Sequence, residues 1–240
     1  RPASSSRPSR ADRRASCDID AQPYFRYGRP VTRVHLLDVG RRECCGAEAL
    51  VRWRHPERGL LAPDQFISLA EESGLIMPLG SWILRRACSD AANWPPHLKI
   101  AVNLSPVQLQ QGSLLDVIKS ALKESGLAPD RLELEITETV LVEKNEENLA
   151  LLHEIKNLGI SIVLDDFGTG YSSMRYLQMF PFDRIKIAKP SIQSMTTHSD
   201  SAAIVCATTG LGRGLDIETT AEGVETAEQL AFLRTAGCQL

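Results

Sequence analysis

Leu132-Glu-Leu-Glu-Ile-Thr137, Asn148-Leu-Ala-Leu-Leu-His-Glu-Ile-Lys-Asn-Leu-Gly159 and Ile160-Ser-Ile-Val-Leu-Asp-Asp166 follow one another along the chain, and together they decide its fold. In the first segment Leu132, Leu134 and Ile136 alternate with Glu133, Glu135 and Thr137, the period-two pattern of a half-buried strand. The second has the length and apolar spacing of a helix, closed by Gly159. The third opens as an apolar strand from Ile160 to Leu164 and ends on two aspartates. A strand, a helix and a strand in that order imply parallel pairing through a right-handed crossover.

The same alternation extends outward from about Val31 to the last residue. Further strands are expected at Gly46–Trp53, Leu98–Val102 (ending in Asn103), Arg184–Ala188 and Asp216–Ala221. Helices are expected at Pro63–Ser73, Ser81–Trp94, Ser201–Leu211 and Thr226–Ala236. One more should start at Ser113-Leu-Leu-Asp116, which resembles a capping box, and stop at Gly126. Counting the first strand, around Arg33-Val34-His35, seven strands and an unfinished eighth favour an α/β fold of the modified (β/α)8, TIM-like barrel type, incomplete at that eighth strand. Neither GxGxxG nor GxxxxGK[ST] follows the first strand, which removes the dinucleotide and P-loop readings. Residues 1–30 are rich in Arg, Ser and Pro without apolar periodicity and read as a disordered leader. Residues 31–240 read as one domain, cut before its last strand and helix.

Composition narrows the partners. A net charge of -3 and a pI near 6.0 argue against a nucleic-acid polymer. They leave room for a small phosphate-bearing ligand held by an arginine or a metal. No apolar run approaches the ~20 residues of a membrane span. Cys17, Cys44, Cys45, Cys88, Cys206 and Cys238 form no CxxC pair and no zinc-finger spacing with His, so they read as free thiols of a cytoplasmic protein.

Polar residues recur at the C-terminal ends of the expected strands: Asn103, Glu135, Asp165, Asp166 and Glu222, with Glu48 inside an early strand. In a barrel those ends converge on the face where active sites are built. Carboxylates plus an amide, without His or Cys, make an oxygen-donor set suited to Mg²⁺ or Mn²⁺. Two such ions about 3.5–4 Å apart would suit in-line phosphodiester hydrolysis. Lys186, inside an otherwise apolar strand, would be costly to bury without partners. Each residue alone also has a plainer reading: a helix cap or turn for the acids and Asn103, a snorkelling surface lysine for Lys186, and a stacked surface pair for Arg52 and Trp53. Convergence favours the site, because independent caps have no reason to be all anionic and all at one rim.

Glu48-Ala-Leu50 with Val-Arg52-Trp53 resembles the motif that names the EAL family of cyclic di-GMP phosphodiesterases. Asn103-Leu-Ser-Pro106, Glu135-Ile-Thr-Glu138, Asp165-Asp-Phe-Gly-Thr-Gly-Tyr-Ser-Ser173, Ile185-Lys-Ile187 and Glu222-Gly-Val-Glu225 follow in that family's order, so the resemblance covers about Asp38 to Leu240. It implies hydrolysis of cyclic di-GMP to the linear dinucleotide with two Mg²⁺ or Mn²⁺ ions. Glu48, Asn103, Glu135 and Asp165 would hold the first ion; Asp165, Asp166 and Glu222 would hold the second. Lys186 would contact the attacking water, with Glu48 and Asp166 completing the catalytic set. Arg52 and Leu50 would contact substrate. Glu138 would steady the loop after the Asp pair, a loop tied in the family to dimerisation, and Glu225 would support the site from behind.

Three features depart from the family pattern. Ala188 stands where the family has Asp, and Arg33-Val34-His35 lacks the Gln found on its first strand. The chain also stops before the family's Gln-Gly-Tyr stretch. These departures keep open an alternative: a degenerate domain that binds cyclic di-GMP or a protein partner without cleaving it.

Overall fold

The structure, a computed structural model, describes residues 31–37, 44–110, 112–139, 146–168 and 174–239. The leader expected over residues 1–30 lies outside the described residues. Seven strands form one sheet in the order β1 (Val31–Leu37), β2 (Cys44–Val51), β5 (Lys99–Leu104), β6 (Leu132–Thr137), β7 (Ser161–Phe167), β8 (Arg184–Ile187) and β9 (Glu218–Ala221). From β2 to β9 every pairing is parallel. Strand β1 departs from the expected parallel pattern, running antiparallel to β2 with Val34 across from Glu48. Only residues 38–43 separate the two strands, too few for the dozen or more that a crossover to a parallel strand needs.

The sheet curls. Strands β2 and β8 are four positions apart, about 19 Å if the sheet were flat at ordinary strand spacing. Yet Lys186 Nζ on β8 lies 3.5 Å from Glu48 Oε2 on β2. The parallel strands therefore wrap around a shared interior as a TIM-like barrel variant, with helices on the outside. Residues 238 and 239 begin to run beside β9, since Gln239 N–H donates to Thr219 O at 3.1 Å.

Helices α1 (Ile67–Glu72), α2 (Ile76–Ala91), α3 (Pro106–Gln110), α4 (Leu114–Ser125) and α5 (Glu146–Asn157) come before β7. Helices α6 (Met174–Met179), α7 (Lys189–Ser194), α8 (Ser199–Leu215) and α9 (Ala227–Ala236) come after it. Helix α4 buries Leu114, Ile118, Ala121 and Leu122, the apolar face that its spacing predicts, against the main core. No helix among the described residues is long and apolar enough to cross a membrane. No disulfide joins the five described cysteines, and burial pushes the Cys88 thiol up to about 11.

Several local expectations are corrected. The sequence between Pro63 and Ser73 forms a 3₁₀ turn and then the short α1, and α2 starts at Ile76 rather than Ser81. Pro78 fits inside its first turn, where backbone N–H groups have no intrahelical acceptor anyway. Ser113 does not cap α4, because its backbone is already helical (φ −101°, ψ −5°). A capping box forms instead at α9: Thr226 accepts from Gln229 N–H at 3.1 Å, and Gln229 Oε1 accepts from Thr226 N–H at 3.1 Å. Trp53 leaves β2 for a hairpin of β3 (Trp53–His55) and β4 (Gly59–Leu61). Strand β6 is buried on both faces rather than half-buried, with Glu133 and Glu135 no more than 1% exposed. Its acidic face points into the barrel, where cationic side chains from other strands meet it.

Close packing of α8 on β9 depends on Gly212. A Cβ there would stand 2.7 Å from Ile217 O and 2.6 Å from Thr219 Cγ2, whereas at Gly210 and Gly214 it would meet nothing within 4 Å. Gly212→Ala should therefore lower unfolding free energy in urea by about 1–3 kcal/mol. Gly210→Ala, on the exposed side of the same helix, should raise it by up to about 1 kcal/mol.

Candidate metal centre

Alternate residues of parallel strands share one face, and the inward face of this barrel is charged in two tiers. The upper tier lies toward the C-terminal strand ends. There Lys186 Nζ is 2.6 Å from Glu222 Oε1, 2.9 Å from Glu135 Oε2, 3.3 Å from Asp165 Oδ1 and 3.5 Å from Glu48 Oε2. Asn103, across from Glu135 in the ladder, donates its amide to Glu48 Oε1 at 2.6 Å. Carboxylates from β2, β6 and β7 and from Glu222, just past β9, thus converge on one lysine that is only 2% exposed.

Asp165 and Asp166 reach this tier by a backbone device. Successive strand residues normally point to opposite faces. Here the β7–β8 register slips between Leu164 and Phe167, and Asp166 adopts φ 53°. A bulge with a left-handed residue re-aims the second side chain, a conformation that Asp tolerates better than most residues. As a result, carboxylate oxygens of Asp165, Asp166 and Glu222 all lie within 4.8 Å of one another. Gly223, the next residue, is also left-handed (φ 68°) and packs so tightly that a Cβ would meet Lys189 Cγ at 2.7 Å.

The electrostatics follow from crowding. Burial, reinforced by Glu48 and Asp165, raises the Glu135 carboxyl well above the ordinary range despite Lys186. Burial and the neighbouring Asp165 raise Asp166, and burial raises Glu222. Burial opposes the charge on Lys186, yet Glu135, Asp165, Glu48 and Glu222 hold its pKa above the ordinary lysine value. One ammonium does not balance this many acids. An oxygen-only donor set that draws the available cation to within hydrogen-bond distance fits hard divalent ions.

The lower tier was not singled out from sequence. Glu133, fully buried, accepts from Lys99 Nζ at 2.9 Å and from Arg184 Nη1 at 2.7 Å. Arg184 Nη2 also reaches Glu218 Oε2 at 3.0 Å. The signal was present, because Glu133 and Arg184 each precede a site residue by two positions.

Other expected site residues lie at the margin. Leu50 is half-buried two positions beyond Glu48, and half-buried Arg52 donates to the adjacent Val51 O at 2.9 Å. Glu138 is buried at the end of β6, but the loop it was expected to steady (169–173) lies outside the described residues. Glu225 is exposed and takes a 3.1 Å hydrogen bond from Gln193 on α7, with Lys189 Nζ at 3.7 Å. Ala188 is buried just before α7 and caps it with no side-chain hydrogen bond.

A curled parallel sheet with a cluster of oxygen donors at its C-terminal rim defines a TIM-like α/β barrel with an acidic centre. Comparison with known proteins makes this specific. The EAL domain family model matches residues 36–240. An uncharacterized signaling protein of Caulobacter vibrioides is 54% identical over 196 residues, covering 82% of this chain and 24% of that protein. The cyclic di-GMP phosphodiesterase NbdA of Pseudomonas aeruginosa is 44% identical over 197 residues, covering 80% of this chain and 25% of that protein. Among solved structures, the PaMucR phosphodiesterase in complex with cyclic di-GMP aligns with a TM-score of 0.84 at 39% identity, over 88% of this chain and 87% of that one. This chain belongs to the EAL-domain family. It spans about a quarter of the length of those two curated relatives.

Proposed function

We propose that this chain hydrolyses cyclic di-GMP to its linear dinucleotide with the help of two divalent cations, Mg²⁺ or Mn²⁺. The observation that carries the reading is the convergence of Glu48, Glu135, Asp165 and Glu222 on Lys186, with Asn103 and Asp166 beside them. Glu48, Asn103, Glu135 and Asp165 would hold one ion, and Asp165, Asp166 and Glu222 the other. A bound pair of this kind supplies Lewis-acid stabilisation of the attacking and leaving oxygens.

The chain's own groups do the rest. Lys186, whose pKa the surrounding carboxylates raise, would orient the attacking water by donating a hydrogen bond. Asp166, the more exposed of the two aspartates, would complete the catalytic set beside that water. Leu50, near the end of β2, and Arg52, just past it, would take the ligand body and a phosphate. Glu138 and Glu225 support the surrounding turns.

Ala188 favours a second reading, binding without cleavage, because it places no polar side-chain atom just past β8. Incubation of the purified chain with cyclic di-GMP and Mn²⁺, with and without chelator, separates the two. Linear product in the metal samples alone is the expected result. Binding without product would replace the phosphodiesterase with a sensor.

A further inference from the structure

Thr220 sits in the barrel wall with a hydroxyl that nothing in the described residues engages. It pairs across from Lys186 in the β8–β9 ladder and is 4% exposed. The residues two positions either side of it reach cations of β8, exposed Glu218 meeting Arg184 and Glu222 meeting Lys186. Thr220 therefore faces the interior between the two charged tiers. Its Oγ1 is buried and has no hydrogen-bond partner among the described residues. The other buried threonines differ: Thr208 and Thr209 donate to helix carbonyls, and Thr219 donates to Gln239. A buried hydroxyl without a partner is destabilising, and a second state in which it is engaged would offset that cost.

The first state is a competition. The Lys186 ammonium has three N–H donors and four carboxylates around it, so it acts as the resident counter-ion of the cluster. Divalent ions bound by the same carboxylates would have to displace it. With one N–H directed at the attacking water, an ammonium that has lost its acids to bound ions needs a further acceptor inside the barrel, and a hydroxyl oxygen one strand over is suited to that.

We propose that Thr220 is a positioning residue whose hydroxyl accepts the Lys186 ammonium once divalent cations occupy the carboxylates. The inference rests on the two-cation reading above. It makes cation binding an exchange in which Thr220 offsets the loss of lysine contacts, and it fixes where the ammonium points while the ions are held.

Calorimetric titration of the purified chain with Mn²⁺, without substrate, tests it. Thr220→Val should bind Mn²⁺ roughly tenfold more weakly, the scale of one hydrogen bond to a charged group. Its metal-free melting temperature should be unchanged or higher, because an unused buried hydroxyl has been removed. Thr220→Ser should restore the affinity. In a Lys186→Met background, Thr220→Val should have no effect, since the coupling runs through the ammonium. Equal Mn²⁺ affinity in the wild type and Thr220→Val would overturn the proposal. So would a failed serine rescue, or a weakening that persists in the Lys186→Met background. A wild-type chain that binds no Mn²⁺ would overturn the two-cation reading, and this one with it.

Discussion

Glu48→Gln will slow formation of the linear dinucleotide by at least about 10²–10³-fold, without weakening the fold of the metal-free chain. The two halves of that expectation have separate causes. Glu48 is one of four carboxylates facing Lys186 and accepts the Asn103 amide at 2.6 Å. Neutralising it removes an anionic donor from the cluster and loosens the orientation of Asn103, so preorganised charge at the reacting centre is lost. The lysine keeps Glu135, Asp165 and Glu222, three acceptors for three N–H groups. Like-charge crowding at the tier also falls, which favours the metal-free fold. A product assay paired with thermal unfolding of the metal-free protein checks both halves. Unchanged turnover would remove Glu48 from the site. A fall in melting temperature large enough to explain the lost activity would make its role structural instead.

How far the sequence could be read differs between the two tiers. The upper tier was legible because its residues sit in motifs with fixed order, and because anionic residues at strand ends have few structural reasons to gather. Glu135, Asp165 and Glu222 were therefore found together. The lower tier was hidden by a wrong inference about β6. Alternating Glu and Leu looked half-solvated, since periodicity reports which residues share a face and not whether that face meets water. Only closure of the sheet puts Glu133 and Arg184 inside. The antiparallel β1 was missed for a related reason: a strand pattern carries no direction, and the six residues before Cys44 were the available clue. Ser113 failed as a cap although its spacing was right, because capping depends on an extended backbone that the motif alone does not guarantee. Thr220 had no sequence signal. Its interest arises from a missing hydrogen bond, which exists only in three dimensions.

Arg184→Met will destabilise the domain by about 3–5 kcal/mol, the scale for removing one partner from a buried ion pair. Glu133 is fully buried and both of its oxygens are engaged, one by Lys99 and the other by Arg184. Lys99 is partly solvated, so its attraction is screened and does not replace that of the buried guanidinium. Against a typical domain stability of about 5–15 kcal/mol, the loss is large enough to appear directly in a urea melt. The double variant Glu133→Leu, Arg184→Met should recover most of it, because no uncompensated charge then remains in the interior. The same cycle measures what the lower tier does for the upper one. Glu133 and Arg184 each stand two residues below a site group, Glu135 and Lys186, on the same faces of β6 and β8. If the double variant is stable yet slow, the ion pair exists to hold those two strands in register beneath the reacting centre. If it is both stable and fully active, the pair serves only to neutralise itself. A loss below about 1 kcal/mol in the single variant, the level of an exposed salt bridge, would show that water reaches Glu133 and that the barrel is open at its floor.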